Sequence, residues 1–140
     1  MKTDQDCIFC RIIAKEIPAN IVFEDDRFLA FLDIQPVNGG HTLLLPKDHY
    51  RNLLEMPPEL LPPLGLRLKT VGQAVKAATN AQGLNIIANN EPAAGQVVFH
   101  THIHLIPRFD GDGFEHWKGK TLSEEETLQL RKKIAATLSS

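Results

Sequence analysis

Apolar residues occur along the chain in short runs separated by polar, proline-containing or glycine-containing segments, a pattern that predicts a β-sheet. The expected strands are residues 21–23, 28–32, 41–45, 84–89 and 97–108. The polar run 24–27 separates the first two strands and predicts a hairpin turn. Proline and two adjacent glycines within residues 33–40 predict a loop before the third strand.

Helical spacing of apolar residues appears in other parts of the chain. A short helix is expected over residues 7–15. A longer helix is expected after Pro57, where apolar residues recur at helical spacing as far as Ala78. Because proline disrupts a helix interior, Pro62 and Pro63 limit the reliable part of this helix to the residues that follow them.

The C-terminal segment carries a helix-start signal. Ser123 followed three residues later by Glu126 is a capping box, which predicts a helix over residues 123–138. The order of elements predicts an α+β domain in which an antiparallel sheet packs against one main helix. We expect a single domain over residues 1–140, with its core at about 7–118.

Composition narrows the classes of function. Apolar residues make up 43% of the chain and charged residues 23%, as in ordinary globular proteins. The net charge of −2 gives no attraction to a nucleic acid polymer or to an anionic membrane surface. No signal peptide and no apolar run of membrane-spanning length is evident, so we expect a cytoplasmic protein.

Three histidines alternate with other residues in the last expected strand. Since successive side chains of a strand point to opposite faces, His100, His102 and His104 are expected on one face. Filling a strand face with three imidazoles requires a hydrogen-bond partner for each, which is a costly way to build a core. The spacing therefore favours a site with chemistry.

The spacing also bears on which chemistry that is. Along a straight strand His100 and His104 are separated by roughly 13 Å, which is too far for one zinc ion to bind all three rings. A neutral imidazole with one nitrogen held as a donor is a good nucleophile, so His102, with a neighbour on each side, is the expected attacking residue. Gly95 and Gln96 precede the strand, where backbone amides can approach an anion.

The segment 95–108 (GQVVFHTHIHLIPR) resembles the signature of the histidine triad (HIT) superfamily. The segments 7–13 (CIFCRII), 31–34 (FLDI) and 40–47 (GHTLLLPK) are similar to the N-terminal half of the bacterial histidine triad nucleotide-binding proteins. The resemblance covers about residues 7–118.

This resemblance implies a HIT-like fold with a five-stranded antiparallel sheet, extended to ten strands across a homodimer. It implies a purine nucleotide in a cleft on each protomer. It also implies cleavage of nucleoside phosphoramidates or dinucleoside polyphosphates at the α-phosphorus through a nucleotidyl-histidine intermediate.

The resemblance implies roles for individual residues as well. His102 is the nucleophile, the carbonyl of His104 orients its ring, and the His104 side chain binds the phosphate or the leaving group. The expected catalytic set is His41, Gln96, His100, His102 and His104. The expected nucleotide-binding set comprises the base-pocket residues Phe9, Ile12 and Ile34, the ribose ligand Asp33, and Asn89, Gly95, Gln96 and Val97 on the phosphate side.

Two positions depart from the family pattern. Thr101 stands where an apolar residue is expected, and because it faces away from the imidazoles we expect only a packing difference. Val97 replaces a Ser or Thr of many relatives, which puts one phosphate contact in question.

Cys7 and Cys10 have the two-residue spacing that brings two sulfurs to one metal ion. The resemblance implies structural zinc bound by Cys7, Cys10, His49 and His100; two unligated thiols are the alternative. We expect zinc loss to weaken folding more than catalysis, because this end of the sheet lies away from the attack site.

Two other functions remain open from the sequence. One is a nucleotide-binding regulatory module without catalytic purpose. The other is a zinc hydrolase that uses His100 and His102 as ligands.

Overall fold

The computed structural model describes residues 1–139 and has a strand or helix within each segment where one is expected. The strands are β1 (Ile21–Glu24), β2 (Phe28–Leu32), β3 (Thr42–Pro46), β4 (Gly83–Ala88) and β5 (Ile103–Arg108). The α-helices are α1 (Ile8–Ile13), α2 (Leu61–Thr79) and α3 (Glu124–Ser139), and short 3-10 helices occupy Leu53–Glu55, Pro58–Leu60 and Pro92–Ala94.

The sheet has the order β1-β2-β3-β5-β4, and all neighbouring strands are antiparallel. This confirms the predicted five-stranded antiparallel sheet with one main helix. His104 lies near the centre, where it pairs with Leu43 of β3 on one side and with Ile87 of β4 on the other.

Apolar side chains on the two faces of the sheet form two cores. On one face, α2 packs onto a cluster that includes Phe28, Leu44 and Leu105. On the other face, α1 packs onto Leu29 and Leu45. Because successive residues of β2 and β3 alternate between the faces, both strands are buried on both sides.

Helix α2 is regular through the two prolines that were expected to limit it. Pro62 and Pro63 lie in its first turn, where backbone amides have no partner within the helix and proline is tolerated. The helix therefore begins at Leu61 and includes both prolines.

The predicted strand over 97–108 is only half correct. Strand β5 begins at Ile103, so His104 is a strand residue whereas His100 and His102 precede the strand. The segment before β5 is held by other bonds, such as that from the Thr101 amide to the Tyr50 carbonyl at 2.7 Å. The three rings still lie on the α1 side, since the Phe9 ring meets the rings of His100 and His102 edge-on and the rings of His102 and His104 are in contact.

The C-terminal helix starts at its predicted cap. The Ser123 amide donates to the Glu126 carboxylate and the Glu126 amide donates to the Ser123 hydroxyl, both at 3.1 Å. None of the side chains of α3 is buried within the described chain. No helix in residues 1–139 is both long and apolar enough to cross a membrane.

Candidate active site

A cleft of about 420 Å³ opens on the α1 side of the sheet, between α1, the loop after β2 and the segment before β5. Nine residues expected from the sequence line it: Phe9, Ile12, Asp33, Ile34, Asn89, Gly95, Val97, His102 and His104. A larger depression, of about 610 Å³, lies beside β4, but no titratable side chain lines it. The chemistry is therefore concentrated in the smaller cleft.

The ring of His102 is held in one tautomer. Its Nδ1 lies 2.7 Å from the backbone oxygen of His100. A carbonyl only accepts a hydrogen bond, so Nδ1 carries the proton and Nε2 keeps a free lone pair. This corrects the expectation that the His104 carbonyl orients the ring: β5 is a central strand, and the backbone of His104 takes part in the sheet.

His104 and His41 form a chain of hydrogen bonds behind the cleft. The Val37 amide donates to Nδ1 of His41 at 3.1 Å, so a neutral His41 carries its proton on Nε2. That nitrogen lies 2.9 Å from Nδ1 of His104 and donates to it. His104 consequently carries its own proton on Nε2.

Burial keeps these rings neutral. Desolvation, reinforced by the neighbouring rings of His102 and His41, lowers the pKa of His104 to about 4. Desolvation also lowers the pKa of His102 and of His41 below the ordinary value, although the Asp33 carboxylate acts in the opposite direction. A neutral imidazole is the form that a nucleophile requires.

Asp33 lies at the junction of the cleft and the histidine chain. One carboxylate oxygen accepts a hydrogen bond from the Gln35 amide at 2.9 Å. The other lies 3.6 Å from Nε2 of His41. Asp33, His41 and His104 therefore bring their polar atoms within 4.8 Å of one another.

The expectation that Gln96 binds phosphate is wrong. Its side chain is buried, and its Nε2 group donates to the carbonyls of Arg51 at 2.6 Å and Val98 at 3.1 Å. Its Oε1 accepts from the Glu91 amide at 2.8 Å. Because both amide hydrogens are used, Gln96 has no donor left for an anion and instead holds the loop together.

Gly95 is required by the shape of that loop. Its φ angle is +91°, in the left-handed region that glycine adopts without strain. A Cβ at this position would lie 3.7 Å from the Asn89 side chain, so conformation and not space selects glycine. The next cleft residue, Val97, is largely exposed and has no hydroxyl to offer a phosphate.

Four cysteine and histidine side chains, types that can bind a metal ion, converge at the end of the sheet. The potential ligand atoms of Cys7, Cys10, His49 and His100 all lie within 4.8 Å of one another. Nδ1 of His49 and Nδ1 of His100 are 3.2 Å apart. Sulfur to nitrogen distances are 3.4 Å for Cys10 to His49, and 3.5 Å and 3.6 Å for Cys10 and Cys7 to His100.

These distances fit a tetrahedral zinc ion. With zinc–nitrogen and zinc–sulfur bonds of about 2.05 and 2.3 Å, a tetrahedron has nitrogen–nitrogen edges of about 3.3 Å and nitrogen–sulfur edges of about 3.6 Å. Nε2 of His100 donates to the Pro46 carbonyl at 2.8 Å, which leaves Nδ1 free to bind a metal. Burial raises the pKa of the Cys10 thiol to about 11, so metal binding must displace a proton there.

The four-residue cluster is linked to the expected nucleophile, so the expectation that it lies away from the attack site is wrong. His100 belongs to the cluster through its ring and holds His102 through its carbonyl. Helix α1 carries Phe9 and Ile12 of the cleft wall, and Cys7 of the cluster caps its N-terminus. His102 itself is outside the cluster, which argues against a zinc hydrolase with His100 and His102 as its ligands.

Comparison with known proteins identifies the family. The sequence profile of the HIT domain matches residues 14–111. The chain belongs to the HIT family. A Streptococcus mutans protein of known crystal structure is 44% identical, with a TM-score of 0.91, over 97% of this chain and 87% of that one.

Two further HIT relatives carry functional names. The adenylylsulfatase HINT3 of Arabidopsis thaliana is 40% identical over 96% of this chain, which spans 66% of that longer protein. A histidine triad nucleotide-binding protein from Candida albicans is 33% identical, with a TM-score of 0.84, over 96% of this chain and 98% of that one.

Hydrogen bonds between residues 51–53 and residues 90–91 support the cleft from behind, and the sequence did not predict them. Arg51 and Asn52 bind Glu91, and the Leu53 amide donates to the Asn90 side chain. Two segments some forty residues apart are thereby joined, and no local pattern marks either one. The only sequence signal is an acidic residue beside a proline in a loop.

Proposed function

We propose that this HIT protein is a nucleotidyl hydrolase or transferase that cleaves purine nucleoside phosphoramidates or dinucleoside polyphosphates at the α-phosphorus. The observation that carries the proposal is the His102 tautomer. It leaves the lone pair of Nε2 free to attack, beside His104 in the cleft. The names of the plant and Candida relatives support nucleotide chemistry.

The proposed reaction has two steps. Nε2 of His102 attacks the α-phosphorus, a phosphorus–nitrogen bond forms, and the bond to the leaving amine or phosphate breaks. His104 donates a hydrogen bond from Nε2 to the departing atom, and His41 holds His104 in that tautomer through Nδ1. Water supplies the proton that a departing amine requires. Water, or the hydroxide left after that proton transfer, then attacks the nucleotidyl-histidine and the phosphorus–nitrogen bond breaks. This step releases the nucleoside monophosphate and returns His102 to its neutral form.

Different residues of the cleft would contact the base, the ribose and the phosphate of the substrate. Phe9, Ile12 and Ile34 line the cleft and would contact the base, and the Asp33 carboxylate would accept hydrogen bonds from ribose hydroxyls. The backbone near Gly95 and Val97, with the amide of Asn89, would contact phosphate oxygens. Gln96 is not part of this set.

Zinc is proposed as a structural ion for the Cys7, Cys10, His49 and His100 cluster, where it would crosslink α1 to the sheet. The homodimer is likewise proposed. The edge of β4 has no strand partner within the described chain, and a second copy could extend the sheet there to ten strands.

The test is a substrate panel with adenosine and guanosine phosphoramidates and diadenosine polyphosphates, combined with intact-mass detection of a nucleotidylated chain. His102→Ala should abolish turnover and the adduct while nucleotide affinity is largely kept. His116→Ala, at an exposed histidine outside the cleft, is the matched control and should behave as wild type. Turnover that survives His102→Ala, or an adduct on another residue, would refute the mechanism; nucleotide binding with no turnover of the panel would favour the regulatory module.

A further inference from the structure

Arg51 and Glu91 lie behind the cleft and join the two segments that shape its phosphate side. We propose that this pair is a clamp: Arg51 and Glu91 are positioning residues that hold the loop 89–95 and the segment 96–102 in the conformation that binds nucleotide. The inference rests on the proposed function, because it gives the clamp the task of shaping that cleft.

Glu91 has a backbone conformation that calls for external support. Its φ and ψ angles are 76° and 158°, a region populated essentially by glycine. Strained residues of this kind persist only where their surroundings hold them. Glu91 lies between Asn89 and Gly95, both of which line the cleft.

The side chain of Glu91 is held by three donor groups. Nε and Nη2 of Arg51 bind its two carboxylate oxygens, each at 2.8 Å, and Nδ2 of Asn52 donates at 2.6 Å. Its backbone is held too, since the Glu91 carbonyl accepts from the amides of Ala94 and Gln96 at 3.0 and 3.2 Å. The strained backbone and the bidentate ion pair are therefore one unit.

Arg51 also contacts the segment that carries the histidines. Its guanidinium carbon lies 4.3 Å from the centre of the Phe99 ring, next to His100. Its carbonyl accepts from Nε2 of Gln96 at 2.6 Å. Residues 97–102 have no strand ladder, and the Thr101 amide next to His102 donates to the Tyr50 carbonyl at 2.7 Å. Residues 50 and 51 therefore support the segment that carries His102.

An ordinary surface ion pair would not have this effect. The Arg51 and Glu91 side chains are 42% and 47% exposed, and most exposed pairs contribute little. The pair Arg11–Glu16 is such a case, with a single 3.4 Å contact and neither residue at a positive φ. Glu91 differs because its carboxylate anchors a strained backbone.

The first experiment measures amide hydrogen exchange of residues 89–99 without nucleotide in wild type and in Arg51→Gln. The clamp predicts roughly fivefold faster exchange in the variant, with exchange of β5 amides unchanged as evidence of folding. Arg11→Gln is the matched control and should leave the loop as in wild type. Unchanged loop exchange in Arg51→Gln would overturn the proposal.

The second experiment repeats Arg51→Gln in a Glu91→Gly background. Glycine adopts φ 76° without strain, so Arg51 should then have much less effect on exchange; an equal effect in both backgrounds would overturn the clamp. Kinetics should show KM raised about fivefold by Arg51→Gln, with a smaller change in kcat. If no substrate of the panel is turned over, the proposed function fails, while the exchange measurements still decide on the clamp.

Discussion

Gly40, which precedes His41 of the histidine chain, offers a test of how tightly the sheet and α2 fix the site. Its φ angle is +98°, and a Cβ built there would lie 2.5 Å from Cγ2 of Thr79, the last residue of α2. Gly39 is the matched neighbour: it has no positive φ, and no atom lies within 4 Å of its would-be Cβ.

The expected costs follow from these two features. Alanine in a left-handed conformation costs about 1–2 kcal/mol, and overpacking against Thr79 costs about 1–3 kcal/mol more. Gly40→Ala should therefore lower the free energy of unfolding by about 2–5 kcal/mol, whereas Gly39→Ala should change it by less than about 0.5 kcal/mol. Thr79→Ser removes Cγ2 but keeps the hydroxyl that donates to the Val75 carbonyl at 2.7 Å.

The measurement is urea unfolding of both alanine variants, Thr79→Ser and the double variant Gly40→Ala/Thr79→Ser. In the double variant the free energy of unfolding should rise by the overpacking cost relative to Gly40→Ala. It should stay about 1–2 kcal/mol below that of Thr79→Ser, because the cost of the φ angle is kept. Equal stability of the Gly39 and Gly40 variants would refute the conformational argument. A double variant no more stable than Gly40→Ala would refute the contact with Thr79.

Three further predictions concern metal, pH and assembly. Cys10→Ser should abolish zinc binding measured by elemental analysis and lower both Tm and kcat, since His100 joins the cluster to His102; a metal-free variant with wild-type kcat would contradict this coupling. The folded-state pKa of His104 is about 4 against an ordinary 6.5, so the unfolded chain binds more protons between these values. The contribution of His104 to stability is therefore complete above pH 6.5 and is lost as the pH falls towards 4, by at most about 1.4 kcal/mol per pH unit. In urea unfolding, the free energy of unfolding of His104→Gln should fall less steeply with decreasing pH than that of wild type. An equal dependence on pH would contradict a neutral His104 ring. Ile86→Glu, at an exposed position of β4, should convert a dimer to a monomer in light scattering, and a monomeric wild type would exclude the dimer.

Hydropathy predicted the elements well because each depends on near neighbours. The capping box at Ser123 and Glu126 forms as expected, and β1 to β4 lie within a residue or so of their predicted bounds. Most of the expected cleft residues do line the cleft, because the family resemblance assigned them to one site. The failure at residues 97–102 has a clear origin: alternating residues predict an extended strand, but strand pairing starts only at Ile103.

Local periodicity and spacing were enough to predict most strands and helices, the alternation of three histidines in one run, and the metal-binding spacing of two cysteines. The hydrogen-bond partners follow from tertiary packing: the His100 carbonyl for His102, backbone carbonyls for Gln96, and His41 for His104, which is 63 positions away. The physical reason is that periodicity records which face a side chain takes relative to its neighbours. A hydrogen bond or a metal ligand set depends instead on distances between segments far apart in the chain, which only the packed sheet and helices establish.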